Sequence, residues 1–353
     1  MRPDIVAHRG GGGRAPENTL AAFRRAVDDG VSDAVEFDVQ RTRDGIPIVF
    51  HDADLRRTTD VESVYPERAD SLVGDFTLAE LRALDCGSWF CGGGFAGERI
   101  PTVSEVLDVV GGRIDIQLEL KHPHRYPGIE SAVAAILREH GLLDSSTLIV
   151  TSFELDSLVR FHDEAPQTAL KAAVRAVADL ETSGLVGVVA SAGVSPRCTD
   201  DDRARLDGLG VPLSGGSAET PQRMREAIDS GLREIATHYP EMLDRVIHGL
   251  PPYCRTSPLV IEEVLLDDYD PTDRRAVIRN VSDTDVDGAA WHLWNGVATP
   301  LRPAGRIGAG ERIEIRLTSP RGHDVSSMQA LALHDDEHTL ADILEFWAVP
   351  PRS

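Results

Sequence analysis

Ile5-Val6-Ala7-His8-Arg9-Gly10-Gly11-Gly12-Gly13-Arg14-Ala15-Pro16-Glu17-Asn18-Thr19 begins as a short apolar run and stops at an imidazole and a guanidinium. The same arrangement recurs downstream. Ala34-Val35 leads into Glu36-Phe37-Asp38, Ile48-Val49-Phe50 into His51-Asp52, and Ile114-Asp115-Ile116-Gln117-Leu118 into Glu119-Leu120-Lys121. Acids, imidazoles and cations repeated at the ends of strand-like runs are what a parallel β/α barrel gathers around its C-terminal mouth. The spacing therefore predicts an α/β fold of the TIM-type (β/α)8 class, with an enzyme site at one end.

The residue types suggest a particular chemistry. Positions two apart on a strand share a face, so Glu36 and Asp38 project together. With Glu119 they make an all-oxygen set that suits a hard divalent cation, Mg²⁺ or Ca²⁺. Such an ion neutralises charge developing on a phosphoryl oxygen and acidifies a bound hydroxyl. His8 and His51 are candidates for general base and general acid. Arg9 offers a planar fork for two phosphate oxygens, and Lys121 a point charge. The glycines at 10 to 13 would let backbone N–H groups approach an anion. Glu17 and Asn18 are further candidates for substrate binding. Against that, Asn18 and Thr19 suit the cap of a helix over Leu20 to Asp29, and Glu17 its first-turn acid.

Taken in order, His8-Arg9-Gly10, Pro16-Glu17-Asn18-Thr19, Glu36-Phe37-Asp38-Val39, Thr42-Arg43-Asp44-Gly45, His51-Asp52, Leu55-Arg56-Arg57-Thr58-Thr59, Ile100-Pro101-Thr102, Glu119-Leu120-Lys121 and Ser152-Phe153 resemble the blocks of the glycerophosphodiester phosphodiesterase family. The resemblance is dense from about residue 5 to residue 155. It implies a metal-dependent hydrolase that splits a glycerophosphodiester, a small soluble substrate, into a glycerol phosphate and an alcohol. The route it implies is attack by the neighbouring glycerol hydroxyl, followed by opening of a cyclic phosphate. Later blocks depart from the family. A Trp-Thr pair of the seventh strand corresponds to the stretch Val211 to Ser217, and the last-strand Thr-Asp-Tyr-Pro reads Thr237-His238-Tyr239-Pro240. Packing is the favoured reading of His238, with an extra acid–base group as the alternative. Two other readings compete with the first: phospholipase D-like action on intact lipid, and a non-catalytic barrel kept as a ligand-binding scaffold.

Residues 53 to 104 are long for a βα connection. In the resembling family that region covers the mouth and helps select the alcohol; a locally packed surface excursion is the equal alternative. The barrel is expected over residues 1–252. After Pro251-Pro252 the texture changes to short alternating runs separated by Asp, Gly and Pro, as in an all-β sandwich. Residues 257–350 there resemble the immunoglobulin-like lamin-tail domain, with Trp291 and Trp294 as expected core residues. The partner of this module cannot be read from the sequence.

Net charge is −22, from 58 acidic against 36 basic residues. Lys121 and Lys171 are the only lysines; the other 34 basic residues are arginines. A GC-rich genome explains the arginines but not the acidic excess, which fits adaptation to high salt of the haloarchaeal kind. Without a basic stripe, nucleic acid and anionic membrane are not expected partners. Met1 leads quickly into the first strand and no run approaches the roughly 20 apolar residues of a span, so a cytoplasmic protein without stable membrane insertion is expected. Cys86, Cys91, Cys198 and Cys254 lack metal-finger spacing and are expected to be thiols.

Overall fold

Apolar side chains on both faces of a strand call for a strand buried on both sides, and the chain supplies them where the sequence predicts. In the computed structural model, which describes residues 2–90, 94–194, 199–252, 257–266, 274–294, 298–301, 305–317, 330–334 and 340–345, the strands β1 (Asp4–Ala7), β2 (Ala34–Arg41), β4 (Asp115–Leu120), β5 (Leu148–Ser152), β6 (Ala169–Val174), β7 (Ser191–Val194) and β8 (Glu234–Thr237) run parallel. Their order is β7-β6-β5-β4-β2-β1-β8. The gap between β7 and β8 is filled by residues 213–217. Leu213 bridges Ala192 and Ser217 bridges Ala236, both in parallel register. Ser214 N–H donates to Ala192 O at 2.8 Å and Ala236 N–H to Gly216 O at 3.1 Å. This segment is the missing stave, seventh in chain order, and the barrel closes.

Closure depends on one glycine. A Cβ placed on Gly215 would stand 1.6 Å from Glu234 O, inside the backbone of the neighbouring stave. Gly215→Ala is therefore expected to destabilise the protein by about 3 kcal/mol, the upper part of the usual range for overpacking. A lower urea midpoint checks this; an unchanged midpoint would refute it.

One sequence expectation about the strands needs correction. Ile48-Val49-Phe50 is not the third barrel strand: β3 (Pro47–Val49) runs antiparallel to β2, Val39 facing Val49. The chain overshoots the mouth along β2, reverses at Thr42-Arg43-Asp44-Gly45 with Gly45 at φ 89°, and returns. The sixth barrel strand is β7.

The helices follow from capped amphipathic stretches. Thr19 Oγ1 accepts from Ala22 N–H to start α1 (Leu20–Asp28), and Thr102 and Glu105 form a capping box on α4 (Val103–Val110). The α5 helix spans Ile129–Glu139. Residues 53 to 104 build a small core of their own around Leu55, Val61, Phe76, Leu81 and Ile100, so local packing is present.

Beyond α10 (Pro240–Ile247) the strands are antiparallel. One sheet pairs Arg312–Arg316 with Arg274–Asn280 and that strand with Leu259–Leu266, and a second runs in the order Ala298–Pro300, His292–Trp294, Ala330–His334 and Leu340–Glu345. The two share a core of Leu259, Ile261, Ile278, Leu293 and Leu333 around Trp291, which is buried as expected. The Trp294 side chain, Cys91, Cys198 and Cys254 lie outside the described residues; Cys86 is a buried free thiol.

Candidate active site

Parallel register brings the acids together. Asp38 on β2 pairs with Glu119 on β4, Glu36 lies two residues back on the same face, and Lys121 N–H donates to Val39 O at 2.9 Å. One oxygen from each of Glu36, Asp38 and Glu119 lies within 4.8 Å of the others, all three residues buried. Glu36 Oε1 and Asp38 Oδ1 accept no hydrogen bond among the described residues, although Asp38 Oδ1 lies 3.3 Å from the Lys121 ammonium. Buried carboxylates repel one another unless a cation intervenes. Burial, with Asp38 and Glu119 beside it, pushes the Glu36 carboxyl well above its usual range, and burial raises Glu119 as well. Asp38 moves the other way: against burial, Lys121, His51 and Arg9 and the Asn18 amide hold it ionised. Three buried acids, two of them with an oxygen that accepts no hydrogen bond, fit a hard cation.

The cations of the mouth are held by these same acids. Lys121 Nζ lies 2.8 Å from Glu119 and 3.3 Å from Asp38. Arg9 reaches Glu17 at 2.9 Å and Asp38 at 3.4 Å, and its Nη2 makes no bond among the described residues. The backbone at Arg9 is left-handed, φ 55°, which aims its N–H at Glu36 Oε2 at 3.0 Å. Asn18 (φ 57°) and His122 (φ 46°) are the other non-glycine residues of this kind among those described, and all three stand at the mouth. Backbone strain of about 1–3 kcal/mol per residue concentrates where function over-determines geometry.

Glu17 and Asn18 do not present free groups. Glu17 is gripped by Arg9 and, at 2.5 and 2.9 Å, by Arg57. Asn18 Nδ2 donates to Asp38 at 2.8 Å. The glycine tract also departs from expectation: Gly11 and Gly12 N–H bond His8 O, and Gly13 N–H bonds His238 O. These amides are consumed locally and form no anion cradle. A Cβ on Gly13 would come 2.2 Å from the Tyr239 ring, so close packing is what demands glycine there.

His8 and His51 approach from two sides. His8, just past β1, has Nε2 3.8 Å from Glu36 and Nδ1 4.0 Å from Glu219. His51 Nδ1 lies 2.6 Å from Asp52. Burial first, then Arg9, lowers the basicity of both rings. His51 reaches the mouth because the Gln40 amide donates to the carbonyls of Phe50, His51 and Asp52, at 2.8, 3.2 and 2.7 Å, and accepts from Tyr126. Asp52 and Arg57 fall within the quoted motifs without an assigned role, and Gln40 and Glu219 fall outside them; Gln40, two residues past Asp38 on the same strand face, was readable from strand periodicity.

Beside Glu119 and Lys121 opens a cavity of about 470 Å³, lined also by His122, Phe153 and Arg175. Phe153 is half exposed, with Lys121 and Arg175 near its ring at 5.8 and 5.9 Å. Below the acids, Lys171 bonds Gln117 at 2.8 Å and Glu234, which also accepts from Ser214 and Gln117. Both lysines thus stand largely shielded inside the barrel, their side chains 16% and 12% exposed. Among the described residues no helix is long and apolar enough to cross a membrane.

This arrangement has relatives. A Bacillus subtilis glycerophosphodiester phosphodiesterase is 31% identical over 269 residues, 70% of this chain and 89% of its own length. Another, from Caldanaerobacter subterraneus, is 40% identical over 168 residues, 47% of this chain and 64% of its own. Among solved structures, an Oleispira antarctica phosphodiesterase in complex with the product sn-glycerol-3-phosphate is 30% identical with a TM-score of 0.62, covering 70% of this chain and 97% of that one. The glycerophosphoryl diester phosphodiesterase family itself matches residues 8–240. Since that match runs from the histidine just past β1 to the proline opening α10, and so takes in every stave but the first and every acid of the mouth, the chain belongs to the glycerophosphoryl diester phosphodiesterase family of hydrolases.

Proposed function

We propose that the protein cleaves deacylated phospholipid headgroups to a glycerol phosphate and an alcohol, using Mg²⁺ or Ca²⁺ on Glu36, Asp38 and Glu119. The observation that carries this reading is the convergence of those three buried acids with Lys121 and Arg9 between two histidines. When bound, the cation would neutralise charge on the phosphoryl oxygens and acidify the attacking hydroxyl. Arg9 and Lys121 hold the phosphate. Glu17, through Arg9 and Arg57, and Asn18, through Asp38, position those groups. His8 Nε2 takes the proton of the glycerol hydroxyl as its oxygen attacks phosphorus. The bond to the alcohol breaks, and His51 gives its proton to the departing oxygen. Asp52 favours the protonated ring, and the anionic substrate offsets Arg9. Water then opens the cyclic phosphate with the two histidines in exchanged roles.

Phe153 at the rim lies between two cations instead of forming an apolar apron, which favours a water-soluble diester over intact lipid. A cytoplasmic, high-salt setting and a lamin-tail identity for the C-terminal sheets belong to the same proposal, on composition and strand pattern respectively. The test is hydrolysis of a glycerophosphodiester panel in molar KCl, with Mg²⁺, Ca²⁺ and Mn²⁺ supplied separately. Metal-dependent release of glycerol phosphate is expected; a folded, metal-binding protein that turns over no diester would overturn the reading, and intact lipid in the panel separates the phospholipase alternative.

A further inference from the structure

We propose that His8, Glu219 and His238 form a second metal site, for an ion of the Zn²⁺ kind, whose occupation switches hydrolysis off by locking His8. One donor atom from each residue lies within 4.8 Å of the others. The two imidazole rings stand 4.6 Å apart, tilted by 35°. His8 Nδ1 and His238 Nδ1 are both buried and have no hydrogen-bond partner among the described residues. An imidazole nitrogen left in that state in a folded protein asks for a ligand.

Glu219 is already aimed. Its Oε2 accepts from His238 N–H at 2.9 Å and from Thr237 Oγ1 at 3.3 Å, while Oε1 faces His8 Nδ1 at 4.0 Å. Bonds to the backbone of one ligand that fix the orientation of another are the support a metal centre needs. Gly12 keeps the place open: a Cβ there would come 2.8 Å from His238 Nδ1. Tetrahedral metal–ligand bonds of about 2.1 Å set ligand atoms about 3.4 Å apart, so the most widely separated pair needs to draw in by up to about 1.4 Å.

The donor chemistry separates this site from the acidic one. Two nitrogens and one carboxylate suit Zn²⁺ with an open fourth position, whereas three carboxylates suit Mg²⁺ or Ca²⁺. His238 stands where the resembling family carries an aspartate, so the departure at Thr237-His238-Tyr239-Pro240 supplies a ligand instead of merely losing one. The consequence follows from His8 sharing both sites. With a metal on Nδ1, the ring proton resides on Nε2, the atom facing Glu36, and that nitrogen no longer accepts the proton of the attacking hydroxyl. The inhibitory effect rests on the proposed role of His8; the binding itself does not.

The test uses the full chain with Mg²⁺ in excess, titrated with Co²⁺ as a visible probe and without substrate. One equivalent is expected to give the intense bands of low-coordinate cobalt, displaceable by Zn²⁺. His238→Gln and Glu219→Gln are each expected to weaken that binding by about 100-fold or more, and Glu36→Gln to leave it intact. His238→Cys, which keeps a metal ligand, is expected to retain the ion and add a thiolate charge-transfer band. Only weak six-coordinate bands, bands unaffected by both His238→Gln and Glu219→Gln, bands lost in Glu36→Gln, or no charge transfer in His238→Cys would each overturn the site. Because these readouts need no turnover, an inactive hydrolase and an absent zinc site give different results. Where diesters are hydrolysed, Zn²⁺ is expected to inhibit the wild type at concentrations about 10-fold or more below those that inhibit His238→Gln.

Discussion

His51→Ala is expected to lower kcat by about 10³-fold, within the usual range for removal of a general acid or base, with KM changed little. His51 makes no hydrogen bond to the acids that would bind the cation and pairs instead with Asp52 at 2.6 Å, so its loss removes a proton donor and leaves the binding groups in place. Asp52→Asn is expected to fall part of the way, because the ring then loses the partner that fixes its tautomer. The pH profile carries the complementary information. His8 acts as base only when neutral, and burial and Arg9 hold its basicity well below the usual imidazole value. The acid limb of kcat/KM therefore lies below about pH 6.5, the unperturbed histidine value, and activity is lost as pH falls through the lowered value. Stopped-time assays across pH on wild type and His51→Ala check both statements; an acid limb above pH 7 would contradict the assignment of His8.

Glu36→Gln is expected to do two opposite things. Hydrolysis falls by about three decades, since metal stabilisation of a transition state is worth several kcal/mol and each 1.36 kcal/mol is tenfold. The metal-free fold, in contrast, gains stability. Burial and the neighbouring acids raise the Glu36 pKa above its unfolded value, so the folded state binds that proton more tightly. Stability conferred by the protonated form is present below the unfolded pKa and is lost as pH rises through the folded one. Neutral glutamine removes that loss. A divalent cation removes it too, adding about 2.7 kcal/mol at a concentration 100 times its Kd. Thermal melts with and without cation at several pH values read both effects. A Glu36→Gln protein that is less stable than the metal-free wild type at neutral pH would contradict this account of the cluster.

The sequence made the chemistry legible more readily than the topology. Glu36, Asp38, Glu119 and Lys121 could be placed on one face because strand periodicity and parallel register act locally or between neighbouring strands. His51 was found as a site candidate but put on the wrong kind of strand. Ile48-Val49-Phe50 is short and fully buried, and such a run looks alike in a barrel stave and in a hairpin. The Asp44-Gly45 pair carried the missing information, since it is a hairpin turn signal. The glycine tract misled for a different reason: glycine permits close approach to anything, and here the neighbours are Tyr239 and Ala22. Glu17 and Arg57 meet across 40 residues of chain, a pairing that no local pattern encodes. The stave at residues 213–217 is held by bridges and a glycine, with too little apolar content to announce a strand.

The shielding of both lysines gives the molecule an unusual chemical surface. Reagents that acylate or alkylate side-chain amines find none projecting freely from this protein, because Lys171 is clasped by Glu234 and Gln117 in the floor of the barrel. Lys121 is the amine nearest an opening, on the wall of the cavity beside Phe153. Covalent tagging at that one nitrogen would therefore act as an occupancy gauge, quenched by whatever fills the mouth, on a protein with no other lysine near an opening.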